Sequence, residues 1–170
     1  MGASPSPAAT EPAPVSARLK RILVLGYGNP GRLDDGLGPA LAERVARLGF
    51  EGVRVESDLQ LQVEDATVIA EHDAVVFADA TVRGPGPFTL RRVRAGGTPS
   101  FSTHSVSPGA LLALAREHFQ SRATGWALAI HGLAFDGFGE GLSEQAQANL
   151  EAAVAALTPQ LLERRIEELA

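Results

Sequence analysis

Three positions at the ends of expected strands or in the loops beside them stand out: the adjacent Asp34 and Asp35 in a glycine loop, Asp79, and His104 in the loop before a helix. Asp34 and Asp35 lie in Gly26-Tyr27-Gly28-Asn29-Pro30-Gly31-Arg32-Leu33-Asp34-Asp35-Gly36, Asp79 in Phe77-Ala78-Asp79-Ala80, and His104 in Ser102-Thr103-His104-Ser105. A carboxylate that ends an apolar run is expensive to desolvate, so Asp79 needs a compensating donor or a functional reason. Together the three make a hard-to-intermediate oxygen and nitrogen donor set that suits a divalent transition metal. Without a soft ligand, such a set can touch a metal already held by thiolates on a partner but is poorly equipped to take it away. The chain has no cysteine, which excludes disulfides, thiol catalysis and cysteine-based zinc or iron–sulfur sites.

Other assignments compete at the same positions. Gly26, Gly28 and Gly31 fit the G-x-G-x-x-G spacing of a dinucleotide loop, a weak signal alone. Pro30 removes one amide from that loop, and Asp34 and Asp35 put negative charge where phosphates would lie, so no nucleotide cofactor is expected. Either aspartate has an equally simple use at a helix N-terminus, where carboxylates meet unpaired amides and the helix dipole. His104 alone would pass for a hydrogen-bonded loop residue. Asp58 and Glu64 are further site candidates, each with a structural alternative as a cap or an exposed helix face. His131, after the last strand, is one more, while His72 and His118 are expected to be structural at helix ends.

The elements that must position these residues alternate. Ile22–Leu25 and Ala74–Ala78 are continuous apolar runs, the mark of strands buried on both faces. Val53 and Val55 lie in a shorter strand, Phe88–Val93 alternates, and Trp126–Ile130 reads as the last strand. Helical spacing places Leu37, Leu41, Val45 and Leu48 on one face, with Gly49 as the stop. A second helix is expected over Leu61–Glu71. A third opens at Ser107-Pro108, an N-cap followed by proline, and runs to about Phe119. Ser143 caps a helix bearing Ala146, Leu150, Val154 and Leu157. Thr158-Pro159 is expected to start a separate terminal helix with Leu162, Ile166 and Leu169 on its inner stripe. This alternation predicts an α/β fold: a three-layer αβα sandwich with a mainly parallel, five-stranded twisted sheet, phosphorylase/hydrolase-like in kind. Sites in such folds lie beyond the carboxyl ends of the strands, which gathers the loop of Asp34 and Asp35 with Asp79 and His104 on one rim.

At 170 residues and 45% hydrophobic, the chain is long enough for one core without a disulfide or structural metal. Residues 1–20, rich in Ala, Pro and Ser, are expected to form a disordered leader, and 21–170 a single domain. The leader has no apolar segment of the secretory kind, and no run reaches membrane-spanning length. A net charge of −5 with interleaved signs lacks the basic footprint of nucleic-acid binding.

Leu23-Val24-Leu25-Gly26-Tyr27-Gly28-Asn29 followed by Asp34-Asp35-Gly36-Leu37-Gly38 resembles the opening of the hydrogenase maturation proteases: an apolar strand, G-x-G-N, then D-[DE]-x-x-G. Val75-Val76-Phe77-Ala78-Asp79-Ala80 resembles their second carboxylate strand and Ser102-Thr103-His104-Ser105 their histidine loop. Gly139-Glu140-Gly141-Leu142-Ser143 resembles the stretch before their last helices. The similarity spans residues 21 to 157. It implies an endopeptidase that removes the C-terminal extension of a nickel-loaded hydrogenase large-subunit precursor. Asp35, Asp79 and His104 would contact nickel carried by that substrate and so act in catalysis. It further implies a cytoplasmic protein, taken here as a monomer that meets its substrate transiently.

One departure concerns the segment after the second strand, where many members carry a D-G-G-T-like stretch. Here it reads Glu56-Ser57-Asp58-Leu59-Gln60-Leu61-Gln62-Val63-Glu64, closer to a subgroup with Q-L-x-x-E. Two rivals remain at this stage. Peptidyl-tRNA hydrolases also open with G-x-G-N-P-G, but acidic residues stand here where their catalytic histidine segment follows. A metal-reading binder without hydrolysis would use the same trio, since no nucleophile–base pair is visible.

Overall fold

The computed structural model describes residues 20–97 and 106–169. His104 lies outside them, as does the expected leader apart from Lys20. Five strands are present: β1 (Ile22–Tyr27), β2 (Val53–Asp58), β3 (Ala74–Thr81), β4 (Phe88–Val93) and β5 (Thr124–His131). Four α-helices accompany them: α1 (Leu37–Leu48), α2 (Asp65–Ala70), α3 (Pro108–Phe119) and α4 (Glu144–Glu163). The strands form one sheet in the order β2-β1-β3-β5-β4. The first four positions in that order are parallel, and β4 runs antiparallel on the edge.

The apolar runs lack alternation because both faces of the sheet are covered. Ile22, Val24, Val76, Leu128 and Ile130 point into a layer shared with Leu37, Leu41 and Val45 of α1 and Leu150, Leu157 and Leu161 of α4. Leu23, Leu25, Val75 and Phe77 point the other way, against Leu61, Ile69 of α2, and Leu111 and Ala115 of α3. The result is the expected three-layer αβα architecture. Both predicted serine caps are in place: Ser107 accepts the Ala110 amide and Ser143 the Ala146 amide, each at 3.2 Å.

Three expectations need correction. The second helix is short, because Gln62, Glu64 and their neighbours form turns before Asp65. The strands extend further toward their carboxyl ends than the apolar runs, so Asp79 lies inside β3 rather than at its end. No separate helix begins at Pro159: α4 runs through it to a left-handed cap at Arg164. Proline removes one amide from the ladder. Burial of Leu157 and Leu161 on the core face holds the helix across the gap, and the Thr158 hydroxyl donates to the Val154 carbonyl at 2.7 Å. Beyond the cap, Leu169 pairs with Leu90 of β4 in an antiparallel bridge, and Leu162 faces solvent.

Candidate functional site

The sheet order reverses direction at β1, since β2 lies on one side and β3 on the other. The crevice between the carboxyl ends of β1 and β3 is therefore the topological switch point, the favoured binding place in such sheets. The pair Gly26–Ala78 is in register across these strands, and the next residue on each is Tyr27 and Asp79.

Close approach of α1 to this crevice explains the glycines. A Cβ on Gly38 would lie 2.2 Å from the Tyr27 carbonyl oxygen and 2.5 Å from that of Ala78. Gly28, at φ +140°, would put a Cβ 2.1 Å from the Asp35 carbonyl oxygen. These residues let a strand end, a turn and a helix start pack backbone on backbone.

Between β1 and α1 the chain makes a 3₁₀ turn, Leu33–Gly36, entered with Leu33 at φ +54°. That turn separates two adjacent aspartates. Asp34 is fully buried and accepts four hydrogen bonds, from the amides of Leu133 and Ala134 (both 2.8 Å), the Ser143 amide (2.7 Å) and the Ser143 hydroxyl (2.7 Å). Burial pushes its pKa up, but the donors from Ala134, Ser143 and Leu133 outweigh this and hold the carboxyl below its ordinary range. Asp35 keeps its carboxyl at the loop surface, where Oδ2 accepts the Asn29 amide at 2.9 Å. Asn29 in turn accepts the Gly31 amide at 2.9 Å, an Asx-turn that fixes the loop. Neither aspartate caps α1.

Asp79 is half-buried, and its Oδ1 accepts the Ala80 amide at 2.8 Å. Burial is the main reason its pKa rises to about 6; the Ala80 amide opposes the rise, the nearby Asp35 charge adds to it, and hydrogen bonding with Tyr27 lowers it. The Tyr27 phenol is pushed well above its usual range by burial first and by Asp79 second. Asp35 and Asp79 are thus brought within electrostatic reach of each other, with a phenol against the second. Two carboxylates so placed can share a proton or offer oxygen ligands to a cation, which would favour both ionised forms. Among the described residues no group of three or more His, Cys, Asp or Glu side chains converges as a metal site.

The other candidates fall elsewhere. Asp58 closes the turn after β2, accepting the Leu59 amide (2.6 Å) and the Gln62 side-chain amide (2.9 Å). Glu64 uses its carbonyl, which accepts from Thr67, and leaves its carboxylate exposed. His131 ends β5 and lines a groove of about 550 Å³ with Leu133 and, from α4, Gln145, Ala148 and Asn149. His72 donates to the Val68 carbonyl at 2.7 Å, as a structural residue would. Tyr27 was not foreseen as a site residue. Its signal was a phenol between two strand-end glycines, next to the strand that carries Asp79.

Comparison by sequence finds no matching family model and no matching curated protein. Comparison by structure finds a [NiFe] hydrogenase maturation protease HycI from Thermococcus kodakarensis KOD1, with a TM-score of 0.66 and 26% identity over 85% of this chain and 94% of that one. The hydrogenase maturating endopeptidase HybD from E. coli superposes with a TM-score of 0.65 and 22% identity, over 88% of this chain and 96% of that one. A hydrogenase 2 maturation peptidase from Thaumarchaeota archaeon SCGC_AB-539-E09 gives 0.61 and 23%, over 84% and 99%.

Proposed function

We propose that the chain, which is similar in structure to a [NiFe] hydrogenase maturation protease, is a member of that family and is the endopeptidase that removes the C-terminal extension of a nickel-loaded hydrogenase large-subunit precursor. In this reading Asp35, Asp79 and His104 contact the nickel that the precursor carries. The observation that carries it is the juxtaposition of Asp35 and Asp79 at the switch point between β1 and β3. His104 enters through the resemblance of Ser102-Thr103-His104-Ser105 and lies outside the described residues.

The chemistry follows from the donors. Oxygen and imidazole ligands can complete the coordination of a metal held by a partner's softer ligands without extracting it. Contact with the metal fixes the precursor relative to the two carboxylates and converts cleavage into a positioned reaction. A nearby carboxylate or a metal-bound water then supplies the activated nucleophile that attacks the scissile carbonyl. Contact with the metal would favour the ionised form of Asp79, whose carboxyl pKa burial otherwise pushes up to about 6. Among the described residues no helix is long and apolar enough to cross a membrane, and the reading places the protein with its precursor in the cytoplasm.

Intact-mass analysis of the precursor, incubated with this protein with and without nickel loaded, tests the proposal. Loss of a C-terminal peptide only from the loaded precursor is expected, and Asp35→Ala should abolish that loss with an unchanged melting temperature. Cleavage of metal-free precursor at the same rate, or full activity in Asp35→Ala, removes the metal-contact mechanism. Nickel-dependent complex formation without any mass change would instead establish a binder.

A further inference from the structure

Asp34 is a buried charged group beside the site to which the metal-contact reading gives no task. Its carboxylate is fully buried. Oδ2 accepts the amides of Leu133 and Ala134 and the Ser143 hydroxyl, and Oδ1 accepts the Ser143 amide. Four donors are about what the lone pairs of one carboxylate can take, so Asp34 has little left to offer a metal or a substrate. A buried charge is costly unless it is this well satisfied, and the use of such a group lies in what it holds in place.

What it holds is the turn that carries Asp35. The Asp34 amide donates to the Ala134 carbonyl at 2.9 Å while its carboxylate takes the Ala134 amide, so backbone and side chain grip one residue together. Alongside, the Leu33 amide donates to the Gly139 carbonyl at 3.0 Å and the Gly139 amide to the Gly31 carbonyl at 2.8 Å. Gly132 makes room, because a Cβ there would stand 2.8 Å from the Asp34 Cβ. The turn is entered through Leu33 at φ +54°, a conformation that a bulky residue keeps only where its surroundings impose it. Residues 132–143 and the start of α4 are those surroundings, and Asp34 is their point of attachment. Asp35 itself is held, among the described residues, by the Asn29 amide on Oδ2 at 2.9 Å.

We infer that Asp34 is a positioning residue for the cleavage reaction: by fastening the Leu33–Gly36 turn to the loop after β5 and to the first turn of α4, it sets where the Asp35 carboxylate stands relative to Asp79. The inference rests on the endopeptidase reading, in which Asp35 contacts the metal of the precursor. Asp34 touches neither metal nor substrate and acts only through its neighbour. A fixed Asp35 is what a positioned reaction demands, since a displacement on the order of 1 Å costs about a hundredfold in rate.

The test uses the full chain and nickel-loaded precursor, with the variants Asp34→Asn, Ser143→Ala, Ser143→Thr and Leu161→Ala, each assayed well below its melting temperature. Leu161 is buried near the far end of α4, so Leu161→Ala lowers the melting temperature without touching the Asp34 contacts. Asp34→Asn should lower kcat at least about tenfold with a smaller change in KM, and Leu161→Ala should keep kcat within about twofold of the parent. Ser143→Ala removes one donor and no charge and should lower kcat about threefold; Ser143→Thr keeps the hydroxyl and should restore it. If Asp34→Asn does not fold, this serine pair carries the test. The Asn29 amide proton reports the place of the Asp35 carboxylate without turnover. Its NMR resonance should move in Ser143→Ala and stay in Leu161→Ala. Equal kcat losses in Asp34→Asn and Leu161→Ala, or an unmoved Asn29 resonance in Ser143→Ala, overturn the positioning role. A parent that does not cleave loaded precursor overturns the endopeptidase reading instead, and the Asn29 resonance then still decides whether Asp34 fixes Asp35.

Discussion

Asp34 and Ser143 stand 109 residues apart, yet both polar groups of the serine donate to the aspartate, the amide and the hydroxyl each at 2.7 Å. The same hydroxyl oxygen accepts the Ala146 amide at the start of α4. One buried carboxylate therefore ties the loop after β1 to the loop after β5 and to the N-terminus of the last helix.

Asp34→Ala removes the acceptor from three part-buried amides and the Ser143 hydroxyl at once, and donors left unsatisfied away from water are costly. It should destabilise the protein by about 3 kcal/mol or more, lowering the melting temperature by roughly 6–12 °C. The pH dependence follows from the depressed folded-state pKa. Such a group contributes stability that is complete above the unfolded value near 4 and is lost as pH falls through the folded value. Urea titrations from pH 7 down to pH 2 should show parent and variant converging at the acid end. A constant gap would mean that the charge is not what matters.

Asp79 behaves oppositely. Its folded pKa, about 6, lies above its ordinary value of 3.8, so the folded state holds the proton more tightly than the unfolded chain. The associated stability is full below about pH 4 and is lost as pH rises through 6. Asp79→Asn should match the parent at pH 4 and exceed it at pH 7.5 by on the order of 1–2 kcal/mol, allowing for solvent screening at a half-buried site. Carboxyl NMR titration gives a second check. Asp35→Asn should lower the Asp79 pKa by removing a like charge, and Tyr27→Phe should raise it by removing a donor. No movement in either variant would show that the three groups do not communicate.

Gly28→Ala tests whether the glycine loop serves close packing. The added methyl would meet the Asp35 carbonyl oxygen at 2.1 Å in a backbone conformation that alanine disfavours. The turn carrying Asp35 must shift, at a cost of about 3 kcal/mol. Cleavage of loaded precursor should fall at least tenfold, since misplacement on the scale of 1 Å has that effect on positioned chemistry. Gly31→Ala, whose new methyl would lie 3.2 Å from the Asn29 side-chain oxygen, should be milder in both assays. Equal effects at the two positions would count against the packing explanation.

Much of this architecture was legible in the chain because the relevant forces are local or periodic. Ile22–Leu25 and Ala74–Ala78 showed no alternation, and a strand covered on both faces by helices needs none. Ser107 and Ser143 announced their helices through side chains that cap them. The division of labour between Asp34 and Asp35 was not legible. Two adjacent aspartates look alike in sequence, and only the turn entered through Leu33 at φ +54° sends one inward and leaves the other on the rim. The passage of α4 through Pro159 was hidden for a related reason. A proline announces its missing amide, whereas the burial of Leu157 and Leu161 that outweighs it is a tertiary fact. Tyr27 became visible as a site residue only once register set β1 beside β3.

The bridge between Leu90 and Leu169 bears on the protein's behaviour at high concentration. β4 is an edge strand, and Leu90 would otherwise turn a free amide and carbonyl outward. Both are taken by Leu169, at 2.8 and 2.9 Å, and the next outward amide, that of Arg92, donates to the Glu168 carboxylate at 3.2 Å. An open edge is a template on which further strands can add, the first step toward sheet-stacked aggregates. Residues 168 and 169 occupy that template with the chain's own backbone and one negative charge, so at this edge colloidal stability rests on a short tail segment rather than on the core.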